Sequence, residues 1–465
     1  MLSIEAAVAA NRFGLGARPG DAGRIGGDPR GWLLGQLAPS PAAAGAATPQ
    51  SATVLAALGE LRLARRMQRA RRSGRPEGVD GDAVREYRRF VRDAYREQVA
   101  GRYAQALATD APFRERLVRF WSNHFAVSAD KQPIAALAGT FEEEAIRPHV
   151  TGNFADLLLA AERHPAMLLY LDNAASAGPE SPAARAARRR GGREIGLNEN
   201  LAREILELHT LGVDGGYGQT DVIELAKMLT GWSVGGHAGP RAGGEPGRFH
   251  FREALHEPGP KRLLGRTYAE SGVEEAEAAL RALALHEATA RHLATKLARH
   301  FVADDPPPAL VDRLARAYLE SGGALVPVYE ALVASPEAWA APLAKVKTPD
   351  DLVVSAYRAL DYAPDDLARL VPVLTQLGQR PFTPGSPAGW PDRAASWWGG
   401  EALLERIDWA AALGRAVGDR VDPMALARDV LGATASVRTI ASVAGAESAA
   451  QGIALLLGGP DFQRR

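Results

Sequence analysis

The chain has 465 residues, of which 46% are hydrophobic, and its 55 Lys and Arg are balanced by 55 Asp and Glu. No cysteine is present, which excludes disulfides, thiolate catalysis and cysteine-held zinc or iron–sulfur clusters. A net charge of zero gives no reason to expect a polyanionic partner, and the apolar content is enough for a large core.

The residues are rich in Ala, Leu, Arg and Glu, and helical spacing recurs in most segments. A mainly α-helical, single large domain over 1–465 is expected, with long irregular loops and at most a minor β-hairpin. Ile4 to Asn11 reads as a short helix ended by the turn GLGARPGD, and a second lies near Trp32 to Leu37. No basic segment followed by an apolar core opens the chain, and no apolar run approaches the ~20 residues of a membrane helix. A soluble, cytoplasmic protein without a membrane span is the expectation. Residues 39–50 read as a surface linker, and the basic crowd at 62–75 as a solvated helix end.

Val84, Tyr87, Val91, Tyr95, Val99 and Tyr103 recur at helical steps, giving one long amphipathic helix whose tyrosines pack in the core and at its rim. Pro112 opens the next helix, through PFRERLVRFWSNHF. Shorter helices follow at 140–147, 155–159 and 167–171. Residues 176–192 read as an exposed, flexible excursion, 232–260 as a Gly- and His-rich loop with a short extended piece at 248–251, and 379–400 as an aromatic Pro/Gly-rich loop. Thr348-Pro349-Asp350-Asp351 spells a helix start, with a capping Thr, Pro at the first position and an acid three residues on. The chain closes with a helix near 441–457.

Four places carry candidate chemistry. On a regular helical wheel over 198–212, Glu204 projects from the packing face, with Asn200 and Glu207 beside it and His209 at the other edge of the apolar stripe. A carboxylate on a packing face must be paired, neutralised or bound to a cation; a buried ion pair is one reading and an acid–base or metal-ligand role the other. His124 falls in the middle of the aromatic face of the 113–125 helix, where desolvation lowers its basicity. If Glu204 and His124 converge, they form a poised pair that can bind a divalent cation or act as a carboxylate-oriented base. Asp221 and Glu224 resemble a capping box. The turn His256-Glu-Pro-Gly-Pro-Lys261 sets a histidine for proton transfer or ligation near a lysine for an anion. No dinucleotide or phosphate-loop glycine motif, HExxH or GxSxG is spelled, and no basic stripe interleaved with aromatics favours nucleic acid.

The segment NENLAREILELHTLGVDGGYGQTDVIELAKMLTGW closely resembles the hallmark of a large bacterial family known as domain of unknown function 1800. RFGLG at 12–16, RLVRFWSNHF at 116–125, His256 to Gly265, HEATARHLATKLARHFVADDPP, the GWP turn at 389–391 and the terminal DFQRR extend the resemblance over nearly the whole chain. It implies a single helical fold, and its motifs coincide with His124, Asn200, Glu204, His209, Asp221, His256 and Lys261. Glu257 stands where the family's turn usually has Asp. Relatives often carry an export signal, which the N-terminus as written lacks, so the resemblance leaves a periplasmic or extracellular location open. It also implies a companion protein of sulfatase/alkaline-phosphatase-like fold. Two functions are therefore expected to compete. One is a His/carboxylate-centred hydrolase, with or without a divalent metal, using Glu204, His124, His256, Lys261, Asn200 and His209 on a small-molecule substrate. The other is a non-catalytic helical binding or assembly protein working with the companion enzyme.

Overall fold

The computed structural model describes residues 1–38, 50–71, 81–191, 195–236, 243–340 and 343–465, with the side chains of 62–71 and 81–83 outside the description. The linker expected at 39–50 therefore lies outside the described residues save its last, as do His237 and the side chains of most of the basic crowd at 62–75. The protein is predominantly helical, as the composition implies, with two short antiparallel hairpins among the described residues. One pairs Trp232–Val234 with Phe249–Phe251. The other pairs Lys261–Leu263 with Arg266–Tyr268 through Leu264 and Gly265, both at positive φ (47° and 78°), the backbone that a tight two-residue hairpin turn needs.

The Pro112–His124 helix lies at the centre. Its apolar side enters an aromatic cluster in which Phe113 meets Phe13, Phe301 and Tyr329 at centroid distances of 5.6, 5.8 and 6.4 Å. Trp121 donates its indole N–H to the Tyr329 hydroxyl (2.7 Å), which donates to the Val150 carbonyl (2.8 Å). The opposite side is buried as well, because Glu115, Arg116 and Arg119 find charged partners there instead of water. The long tyrosine helix runs over Gly81–Ala108, and Val91, Tyr95, Val99 and Tyr103 are buried along it.

Local signals translate well where a cap or a glycine fixes them. Thr348 caps the Pro349–Leu360 helix by accepting from the Asp351 amide (3.2 Å). Gly212, at φ +84°, ends the 200–209 helical run. The helix expected over 441–457 is instead two, Val437–Ala444 and Ala449–Gly458, because Gly445 ends the first and the Ser448 hydroxyl caps the second. Within 176–192, Pro182–Arg189 is helical under a Ser181 cap, and Ser181 and Ala184 are buried. Phe249–Phe251 supplies the extended piece in 232–260. The last residues are woven into the core: Lys345 and Arg465 exchange backbone hydrogen bonds (3.2 and 2.8 Å), and the Lys347 amide donates to the Gln463 carbonyl (2.9 Å). Among the described residues no helix is long and apolar enough to cross a membrane.

Candidate functional site

Asn200–Glu204 is α-helical, but Ile205–His209 is wound as a π-turn. Widening the turn by one residue shifts the phase of everything after it. The regular wheel therefore misplaces the pair it singled out. His209 is fully buried, and Glu204 is only half-buried, with no hydrogen bond or ion pair to a described residue. Burial, reinforced by the charge of Glu207, holds the Glu204 carboxyl above its usual pKa despite the pull of His209. Asn200 donates its backbone N–H to the Asn198 side chain (2.9 Å) in the first turn.

His209 Nδ1 lies 2.7 Å from Glu162 Oε1, both side chains being 0% exposed. Glu162 comes from the Phe154–Arg163 helix and had no signal beyond its place in an apolar run. His124 meets the backbone carbonyl of His209 through Nε2 (3.1 Å), and their rings are 6.0 Å apart. Burial, then the charge of Lys296, pushes His124 well below the usual histidine range. His124 and His209 are thus brought together. No hydrogen bond or ring contact joins either to Glu204 among the described residues, although His209 acts on Glu204 through its charge.

His256 and Lys261 converge on a second sealed centre. Glu275, from the Val273–Ala284 helix, places Oε1 3.0 Å from His256 Nε2 and 2.8 Å from Lys261 Nζ. Lys261 also donates to the Glu257 carbonyl (2.5 Å), and His256 Nδ1 bonds the Thr230 carbonyl (2.8 Å). All three side chains are at most 5% exposed. Glu257, the departure from the family's turn, accepts the Glu180 amide (2.8 Å), tying the 176–181 segment to this turn. Asp221 and Glu224 have structural work: Asp221 caps its helix at Gly218 and accepts the Leu264 amide, while Glu224 accepts the Arg262 amide. The helix starts two residues before the expected cap, with Asp221 at its third position.

The open site lies elsewhere. A cleft of about 840 Å³, its mouth included, runs between the polar side of the Pro112–His124 helix, the start of the Pro349–Leu360 helix and the loop at 379–392. Four arginines (102, 116, 119 and 380) and four acids (Glu142, Asp350, Asp351 and Asp392) line it. Arg116 pairs with Asp351 (3.0 Å), which Arg465 also holds (2.8 Å); Arg119 pairs with Asp350, which also takes the Tyr103 hydroxyl. Burial raises Asp350, but Arg119 and Arg102 outweigh it and keep the carboxyl below its usual value.

The loop is fixed to the helix end by Asn123, whose side chain accepts the Trp390 amide (2.7 Å) and donates to the Trp390 carbonyl (2.9 Å). Gly389 is required there: its φ is +82°, and a Cβ would lie 2.3 Å from the Asn123 carbonyl oxygen. This anchoring carries Asp392 to His300, whose Nδ1 lies 3.1 Å from Asp392 Oδ1. With Nδ1–H donating to that carboxylate, the ring's lone pair sits on Nε2, which is buried and has no hydrogen-bond partner in the protein. Burial, then Arg465, lowers the His300 pKa to about 4. Burial raises Asp392, but the His300 bond and the lysines at 345 and 296 bring it to about 2.

None of the cleft's charged groups was singled out from the sequence. Arg116 and Arg119 lie in RLVRFWSNHF, Asp350 and Asp351 in the helix start at 348–351, and His300 in HEATARHLATKLARHFVADDPP; Asp392 directly follows the GWP turn, and Arg102, Glu142 and Arg380 lie outside these segments. Among the described residues no group of three or more His, Asp or Glu side chains stands close enough to hold a metal ion; the candidate divalent metal finds no ready-made ligand set there. No curated protein and no solved structure matches this chain. Residues 8–464 match the family described as Protein of unknown function (DUF1800), and with nearly its whole length covered the chain belongs to that family.

Proposed function

We propose that the protein is a hydrolase whose His/carboxylate centre is His300 with Asp392, acting on a small polar substrate in the cleft. The observation that carries this reading is His300 itself, a residue of the cleft lining held at Nδ1 by Asp392, whose buried Nε2 has no hydrogen-bond partner in the protein. A neutral imidazole so oriented can take a proton from an attacking water, while the carboxylate fixes the tautomer and stabilises the imidazolium that forms. A pKa of about 4 keeps the ring uncharged at neutral pH, with the proton on Nδ1 and none on Nε2. The test is a panel of chromogenic esters, phosphodiesters, glycosides and amides. One class should be turned over by the full chain, and His300→Asn should lower kcat by about a hundredfold or more. Failure of every class, or full activity in the variant, defeats the proposal.

The binding or assembly role remains the second reading. It is favoured by Leu404 and Ile407 on the Gly400–Val417 helix and by Val437 at the start of the Val437–Ala444 helix, which are 64%, 44% and 88% exposed. Under this reading these apolar side chains meet a companion of sulfatase/alkaline-phosphatase-like fold. Formation of a discrete complex in sedimentation, with no hydrolysis by the chain alone, is its expected signature; absence of a complex counts against it.

A further inference from the structure

Arg119 is 93% buried by its side-chain exposure of 7%, and one of its terminal nitrogens, Nη1, pairs with Asp350. Its other edge, Nε and Nη2, is shut off from solvent and bonded to nothing in the protein. Those two N–H groups leave the planar guanidinium side by side, the spacing that receives both oxygens of a carboxylate or two of a phosphate. Ser122 Oγ and Arg102 Nε, on the same cleft, are also without a partner. Buried donors of this kind are rare unless something accepts from them.

We propose that the Nε/Nη2 edge of Arg119 is the recognition point for a carboxylate group on the substrate. The proposal rests on the cleft being the working site and adds to it the class of molecule bound there. Each of the four lining arginines is already paired with an acid, Arg102 with Glu142, Arg116 with Asp351, Arg119 with Asp350 and Arg380 with Asp130. Selection therefore falls to the shape of the fork, and a planar carboxylate matches it better than a tetrahedral phosphate. Asp350 keeps the fork in place by holding the opposite edge of the guanidinium, and Tyr103 and the Gln379 side chain steady Asp350 in turn.

Calorimetric titration of the full chain with benzoate, its neutral isostere benzamide and inorganic phosphate tests this. Benzoate should bind, with benzamide and phosphate each about tenfold weaker or worse. Arg119→Lys keeps a cation for Asp350 but removes the fork, and should weaken benzoate by about tenfold or more while the protein still melts cooperatively. Absence of benzoate binding, equal binding of benzamide, tighter binding of phosphate, or an Arg119→Lys protein that binds benzoate as well as the original overturns the assignment. The benzoate–benzamide contrast needs no variant, so the proposal stays testable if Arg119→Lys does not fold. Benzoate binding without hydrolysis of any substrate class defeats the hydrolase reading and leaves the fork standing. Hydrolysis without benzoate selectivity does the reverse.

Discussion

In the cleft lining, His300 gives one nitrogen to Asp392 and keeps the other buried without a hydrogen-bond partner. In the interior, His256 is closed between Glu275, Lys261 and the Thr230 carbonyl, and His209 is sealed with Glu162 at 0% exposure. The residue types are the same in all three places. What differs is whether the group lines the cleft, since His209 Nε2 also lacks a hydrogen-bond partner but is not part of that lining. A buried ion pair whose partners satisfy each other is a fastener, weak as a net source of stability but costly to break from one side. A histidine with an unbonded nitrogen on a cleft wall has chemical capacity left over.

The contrast breaks most visibly at Glu275. Replacing it with Ala leaves the Lys261 ammonium beside His256 with no carboxylate, at side-chain exposures of 1% and 5%. Loss of about 3–5 kcal/mol of stability is expected, read from urea unfolding. A change below about 1 kcal/mol would mean that water reaches this centre, and the distinction between fastener and site would fail there.

How much of this was legible in the sequence depends on what fixed each feature. Caps and turns are decided by neighbouring residues, so Thr348, Gly212 and the long tyrosine helix could be read directly. Glu204 and His209 were placed with a regular wheel, and the π-turn at Ile205–His209 broke its phase. Arg116 and Arg119 were missed for a different reason. They lie on the polar side of an amphipathic helix, which a wheel assigns to solvent. Here that side faces Asp350 and Asp351, more than 200 residues further along the chain. Glu162 and Glu275 gave no local sign either, because a charged residue in an apolar run declares its partner only once distant helices pack. Asn123 and Gly389 belonged to quoted motifs, yet their joint task of anchoring the loop needs both ends in place.

A second test sharpens the comparison between buried lysines. Lys261 faces a carboxylate, whereas Lys347, behind the cleft floor, donates to the Ser355 hydroxyl (3.0 Å) and sits 3.9 Å from the Phe462 ring centroid. Burial lowers the Lys347 pKa to about 7, against the pull of Asp351. Between that value and the usual 10.5 the unfolded chain carries the extra proton, so stability rises with pH across the window and flattens above it. A single group contributes at most about 1.4 kcal/mol per pH unit. Lys296, lowered to about 8, adds a slope of the same sign. The comparison is therefore between the unaltered protein and Lys347→Met at pH 7.5 and 9.5. The variant should gain less stability on going to the higher pH, by about 1–2 kcal/mol. Equal gains in both proteins would show that Lys347 is charged throughout and that its neighbours compensate it.

The smallest effect is expected at Glu204, where the question is whether a half-open carboxylate belongs with the fasteners or with the groups left free for chemistry. It bonds no described residue, and its pKa is raised, first by burial and then by Glu207. An acid whose folded value lies above its unfolded one binds more protons when folded, so stability falls as pH rises through that window. Glu204→Gln removes this penalty without removing a bond. Its stability at pH 7 should match the original or exceed it by a few tenths of a kcal/mol, and the decline as pH rises above the ordinary carboxylate value should shrink. A destabilised variant would place Glu204 among the fasteners. Unchanged stability with lost hydrolysis would make Glu204 a second acid–base group, acting near His209 and outside the cleft. Unchanged stability with hydrolysis intact would leave His300 as the sole proton acceptor the mechanism needs.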